Sequence, residues 1–256
     1  MYFYFYDKIT QDKRCTALVS SFETKLVDLG IAGRTEKLSL FKNAAELVEQ
    51  GVKTGAKTLV AVGDDATFLN LIPLAAKHHL TFGFLPVVPN SRFAKILGLP
   101  AGTEACVSLS RRITVTCDLG KINDTYFFGS LTVINNNNLS LRCDQMYSVK
   151  SNTPENLIQI MNLGDVFGKN LKKLNNISDG KLEVVITEKT KGGYLKKFKE
   201  KKKNSVIFAK SIEAVSPKDQ TSTLVADGIC TVNTPCTISV VPQALHLIVG
   251  KDRLIN

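Results

Sequence analysis

The sequence predicts an α/β plus β protein: an N-terminal doubly wound parallel-sheet domain followed by an antiparallel β-sandwich domain. Three observations carry this. Strand-like and helix-like patterns alternate with short links through the first hundred residues, which implies parallel strands covered by helices. Thr58–Val62 is an apolar run of the kind found in strands buried on both faces. Beyond about residue 111, short strand-like runs are separated by turn residues at Asn135–Asn138, Asp179-Gly180, Gly192-Gly193 and Asp227-Gly228, the pattern of an antiparallel sandwich.

The elements follow in order. Tyr2–Tyr6 is aromatic and β-prone. Leu18, Phe22, Leu26 and Leu29 recur at helical spacing, and Gly30 ends that run. Lys37–Phe41 alternates as a short strand. Ala44, Leu47, Val48 and Val52 share one helical face closed by Gly55. Phe68–Lys77 reads as a helix despite Pro73, which removes a backbone donor. Thr81–Leu85 reads as a strand, and Phe93–Leu97 as a helix after a Pro-rich loop. The later strands are expected at 112–118, 122–134, 139–149, 157–163, 182–187, 206–215, 223–226 and 237–241. The expected domains are 1–111 and 112–242, leaving 243–256 as a segment that can return to the first.

Composition narrows the classes. The chain has 256 residues, is 44% hydrophobic and has a net charge of +10. That length supports a core without staples, and that apolar fraction excludes a disordered chain. No apolar run approaches the roughly 18 residues of a membrane span. Met1–Lys8 lacks the basic and apolar regions of a signal peptide, so it is read as the first strand. The six cysteines form no Cys-x-x-Cys pair and do not interleave with the three histidines at zinc spacing. They are read as buried free thiols of a reducing cytoplasm. Eight lysines against one glutamate, Glu200, give residues 189–203 a net charge of +7. The rest of the chain is therefore close to neutral, and an anionic partner is expected at one place.

Two loops carry candidate chemistry. Gly63-Asp64-Asp65-Ala66-Thr67 joins a buried strand to a helix, where open α/β sheets bind ligands. Two carboxylates there suit a metal–phosphate pair, because Asp repels a bare polyphosphate. An Asp N-cap with no ligand explains the same residues. In the second loop Asn90 or Ser91 can cap the helix that follows, and Arg92 in its first turn opposes the helix dipole unless it faces an anion.

These two loops, in this order and spacing, resemble the catalytic domain of the diacylglycerol kinase and sphingosine kinase family, distantly related to NAD kinases. Bacterial lipid kinases of that family carry Gly-Gly-Asp-Gly-Thr where this chain has Gly63–Thr67. In the second loop Pro86, Phe93, Ala94, Leu97, Gly98 and Pro100 match the family, with Lys95 for Arg and Leu99 for Ile. Asp118–Phe128, Asp179–Leu182, Asp227-Gly228 and Val241–Leu245 resemble its β-domain turns and strands.

The resemblance implies a NAD kinase-like α/β domain, a lipid-holding β domain, and phosphorylation of a lipid hydroxyl with ATP and Mg²⁺ as cofactors. It assigns the nucleotide to Gly63, Asp64, Asp65, Ala66, Thr67, Asn90, Ser91 and Arg92. Asp65 is expected at the metal or the acceptor. Asp179 matches an Asp that helps hold a structural Mg²⁺, although an Asp-Gly turn explains it equally well. Several positions depart from the family. Asp64 and Ala66 replace glycines, Val88-Pro89 replaces Gly-Thr, and Ser91-Arg92 replaces Asn-Asp. Tyr6–Ile9 stands where an Asn-Pro motif belongs. Ile229 stands where the family has its general-base Glu, which leaves Asp227 as the catalytic stand-in.

The expected partners are a nucleotide, a lipid substrate and an anionic membrane surface met by Lys196, Lys197, Lys199, Lys201, Lys202 and Lys203. The implied location is the cytoplasm, peripheral at the inner membrane face, with room for a homodimer. Nucleic acid is not expected, since no aromatic-rich binding motif accompanies the lysines. Two alternatives share the fold: a catalytically impaired nucleotide- or lipid-binding protein, and a soluble-substrate kinase of the NAD kinase type.

Overall fold

The computed structural model describes residues 1–38, 43–151, 153, 155–164, 177–188 and 204–255. The chain divides into two compact units: Met1–Asp118 with Asn176–Ser178 and Gln243–Asn256, and Leu119–Asn175 with Asp179–Pro242. The end of the expected strand 37–41 and the whole lysine-rich stretch 189–203 lie outside the described residues.

The first unit opens with β1 (Tyr2–Tyr6), α1 (Lys13–Asp28), β2 (Arg34–Lys37), α2 (Ala44–Lys53) and β3 (Thr58–Gly63). It continues with α3 (Asp65–Lys77), β4 (Thr81–Pro86), α4 (Arg92–Leu97) and α5 (Glu104–Arg111). β1 pairs in parallel with β2 on one side and with β3 on the other, and β3 pairs in parallel with β4. The strand order 2-1-3-4 therefore reverses between β1 and β3, the switch point of a doubly wound sheet.

Alternation along β1 shows how the layers form. Tyr4 and Tyr6 face a core shared with Cys15, Val19, Phe22 and Leu26 of α1 and with Ala105, Cys106 and Leu109 of α5. Phe3 points the other way, and a Cβ on Gly51 of α2 would stand 2.8 Å from its ring. On that second face Phe68 of α3 packs on Phe82, Phe84 and Phe93, with ring centroids 4.6–5.4 Å apart. Each fully buried aromatic ring of this kind contributes on the order of 1.5–3 kcal/mol. α3 continues through Pro73, which sacrifices one backbone hydrogen bond there.

The second unit is antiparallel. After β5 (Thr114–Ile122), which begins in the first unit, come β6 (Thr125–Phe127), β7 (Ser130–Asn135), β8 (Ser140–Cys143), β9 (Tyr147–Lys150) and β10 (Leu157–Met161). Then follow β11 (Leu182–Thr187), β12 (Asn204–Ala209), β13 (Ser211–Val215), β14 (Thr223–Ala226), β15 (Cys230–Asn233) and β16 (Cys236–Ile248). One sheet runs β12-β11-β10-β7-β14-β15. The other joins β16 to β13, β8 and β9. Leu131, Ile160, Val184 and Leu224 of the first sheet share one core with Leu141, Ile212 and Ile238 of the second. This is a sandwich.

Some expected strands divide. The run 139–149 is a hairpin, because Asp144 and Gln145 have φ of 48° and 57°, the positive pair of a tight turn. The run 206–215 breaks at Lys210, and 122–134 breaks after Ile122 and Phe127. β16 is thirteen residues long; beyond Pro242 it pairs in parallel with β4 through His246 and Leu247. The residues after it lock onto the end of α4. Gly98 caps that helix at φ 66°, a Cβ on it would meet Arg253 N at 2.3 Å, and one on Gly250 would meet the Gly98 carbonyl at 1.8 Å.

Two outcomes test this packing. Gly250→Ala is expected to destabilise the protein by at least about 1–3 kcal/mol in urea unfolding, since the backbone at Gly98 cannot step aside. All six cysteines are free, and only Cys230 is not buried. Burial pushes the Cys106 and Cys236 thiols up to about 11, which leaves little thiolate near neutral pH. A thiol reagent at pH 8 is expected to modify one cysteine in the native protein and all six in denaturant.

Candidate active site

The carboxyl ends of β1, β3 and β4 lie side by side at the switch point, and each is followed by a polar loop. β3 ends at Gly63, where any side chain would clash: a Cβ would stand 2.2 Å from Thr67 Oγ1. Thr67 sits close because Asp64 and Thr67 form a capping box. Thr67 N donates to Asp64 Oδ1 at 2.9 Å, and Asp64 N donates to Thr67 Oγ1 at 3.2 Å. A box of this kind holds the first turn of a helix.

Thr67 also reaches across to β1. Its hydroxyl donates to Asp7 Oδ2 at 2.5 Å, with Asp64 Oδ1 at 3.0 Å. One hydroxyl has one proton, and the shorter contact claims it for Asp7. Asp7 N in turn donates to Val62 O, which ties the end of β1 to β3. Asp7 was not singled out from the sequence. An acid directly after the first strand of a doubly wound sheet is the signal that could have found it.

Asp65 joins β3 to the loop after β4. Its Oδ1 accepts a short hydrogen bond from Ser91 Oγ, and its Oδ2 accepts from Arg92 N at 2.9 Å. Ser91, 5% exposed, caps α4 by accepting from Ala94 N at 3.0 Å. Asn90 takes φ 63°, a conformation Asn tolerates better than most residues. The structure thus brings Gly63–Thr67 and Asn90–Arg92 together in the first unit. Beside them a cavity of about 390 Å³ is lined by Leu18, the loop from Pro86 to Ser91, Lys95 and the turn from Leu99 to Gly102.

The residues fit a phosphate bridged by a divalent cation and not a bare polyphosphate. Asp64 and Asp65 are half-exposed at the start of a thirteen-residue helix, and three carboxylates with Asp7 repel an unaccompanied anion. Among the described residues the Asp65 and Ala66 N–H groups make no hydrogen bond, and the helix N-terminus favours an anion there. Among the described residues no group of three acidic, His or Cys side chains could hold a metal unaided. Mg²⁺ ordinarily completes such a sparse shell with substrate phosphate and water.

The two acids expected in the β domain belong to the second unit. Asp227, 8% exposed with φ 49°, accepts backbone N–H bonds from Phe128 at 2.6 Å, Gly129 at 2.8 Å and Ser130 at 2.9 Å. Burial raises its carboxyl above the usual range, and the three N–H groups pull it down. Asn162 Nδ2 holds the same loop by donating to Phe128 O at 2.9 Å. Two residues on, Ile229 is 45% exposed. Asp179 is exposed and accepts from Lys181 N at 3.0 Å, a local turn bond. The described residues give it no companion ligand.

No family model matches the chain, and the comparison with curated proteins found no match. Solved structures share its fold. A diacylglycerol kinase from Bacillus anthracis strain Sterne superposes with a TM-score of 0.74 at 14% identity, covering 97% of this chain and 96% of its own. Two further structures from that strain, provisionally assigned as diacylglycerol kinase, superpose with the same TM-score and coverage at 14% and 15% identity. The chain therefore has the fold of these proteins, an α/β unit and a β-sandwich in one chain. Among the described residues no helix is long and apolar enough to cross a membrane.

The loop geometry makes a direct prediction. Thr67→Val keeps the shape but removes the partner of Asp64 N and the donor to Asp7. It is expected to lose about 1–3 kcal/mol of stability in urea unfolding, with accelerated exchange of the Asp64 amide.

Proposed function

We propose that the chain is a lipid kinase-like phosphotransferase that transfers phosphate from ATP to a lipid hydroxyl. The observation that supports this most is the stitching of three neighbouring strand ends by Thr67–Asp7 and Asp65–Ser91/Arg92, which makes one pre-organised crest at the switch point. The Asp65 and Ala66 amides would receive a phosphate. Asp64 and Asp65 would hold the cation side, and the cavity lined by Leu18, Val87 and Lys95 would take the nucleoside. Mg²⁺, when bound, supplies neutralisation of the phosphate oxygens. The side chains of this crest orient and desolvate; Asp65, already anchored by two donors, keeps its geometry while it does so. The acceptor is placed at an anionic membrane surface by the lysines at 196–203, which lie outside the described residues.

A second reading, a nucleotide site without turnover, is favoured by the β-sandwich turn. Ile229 occupies the place of the family's base, and the carboxylate of Asp227 is committed to three backbone amides. In this reading Asp227 is a structural staple.

The test is a thermal shift with ATP and Mg²⁺ alongside transfer of labelled phosphate to a lipid panel. The first reading expects stabilisation plus labelled lipid. Asp65→Asn should lower transfer by about 100-fold or more, and Ile229→Glu should raise it by about 10- to 100-fold. Stabilisation without label in either the natural chain or Ile229→Glu supports the second reading. No stabilisation contradicts both.

A further inference from the structure

The second unit exposes apolar side chains where two edge strands lie against each other. β12 ends its sheet, and β9 ends the other. Tyr147 of β9 donates its hydroxyl to the Phe208 carbonyl of β12 at 2.7 Å. Around that bond Met146 is 84% exposed, Phe208 51%, Val206 47% and Tyr147 40%. Val206 and Phe208 alternate with Ile207 and Ala209, which face the sandwich core, so their exposure is built into the strand register. The turn that carries Met146 is fixed, not loose. Asp144 Oδ1 accepts from Lys210 N at 2.9 Å and Ser211 N at 2.8 Å.

Clustered apolar exposure on a fixed edge marks a contact surface, and the charges around it select what it contacts. Lys181 Nζ stands 6.0 Å from the Phe208 ring, and Lys210 follows the strand. The nearby acids are Asp144, engaged by those two backbone donors, and Glu183, cross-strand from Phe208. Lys181 and Lys210 give this edge positive charge. A second copy of the chain would bring these cations against their own kind. An anionic bilayer would neutralise them while its interface takes the apolar tips.

We propose that Met146, Tyr147, Val206 and Phe208 form the tip by which the β-sandwich docks into an anionic phospholipid surface. This rests on the lipid reading for the choice of a bilayer. The experiment contains no nucleotide, so failure of docking and failure of phosphoryl transfer are separate results.

The chain has no tryptophan, so Phe208→Trp creates a single fluorescent reporter at the tip. With phosphatidylglycerol–phosphatidylcholine vesicles the full chain is expected to float at low salt, and Trp emission should shift to the blue. With pure phosphatidylcholine both effects should be largely lost. Met146→Ser with Phe208→Ser should lower the vesicle partition by about tenfold or more with an unchanged melting temperature, since both side chains are exposed. The proposal is overturned if the double variant floats as the natural chain does, or if the natural chain ignores anionic vesicles. It is also overturned if Trp emission stays fixed in floating protein. A blue shift that appears without vesicles as protein concentration rises would instead assign the tip to a second copy.

Discussion

The site depends on the Asp65 carboxylate. α4 has six residues, too few for a helix to persist on its own. It is held at its start by the Asp65–Ser91 and Asp65–Arg92 bonds and at its end by the left-handed Gly98 against the C-terminal segment. Releasing Asp65 would free the loop from Pro86 to Asn90, and with it one wall of the neighbouring cavity. A charge-assisted bond from a carboxylate to a backbone N–H contributes roughly 1.5–3 kcal/mol. Asp65 makes one such bond and one to a hydroxyl, enough to fix a six-residue helix.

Asp227 does for the second unit what Asp65 does for the first, under different conditions. It is almost fully buried and gathers three backbone donors onto two oxygens. Such a carboxylate is expensive to bury and more expensive to unpair, so the bonds that satisfy it also commit it. Asp65 is half-exposed and has lone pairs left. This contrast in burial, not a difference in residue type, separates an acid able to meet a ligand from one that holds a turn.

Much of the α/β architecture was legible because its signals are physical ones. The apolar run of β3, the aromatic run of β1 and the helical spacing in α1 each reflect burial. α5 was not legible: its buried positions are Ala105, Cys106, Ser108 and Leu109, and no side chain caps its start, so no apolar stripe stands out. From its own pattern β16 was read only to residue 241, because Pro242 looks like a strand end. At the site, the residues were found but their geometry was not. Gly-Asp-Asp-Ala-Thr reads equally as a ligand loop and an Asp N-cap, and the structure shows that cap formed as part of a capping box. The reach of Asp65 to Ser91 and Arg92, across 26 and 27 residues, has no local signature.

The most direct test of this account is a double-mutant cycle on Asp65 and Ser91. Asp65→Ala, Ser91→Ala and the pair would be compared by urea unfolding, with ATP·Mg²⁺ affinity followed in parallel. The stitch predicts a coupling energy of about 1–3 kcal/mol between the two positions and weaker nucleotide binding in each single variant. Additive losses within about 0.5 kcal/mol, with nucleotide binding intact, would contradict it.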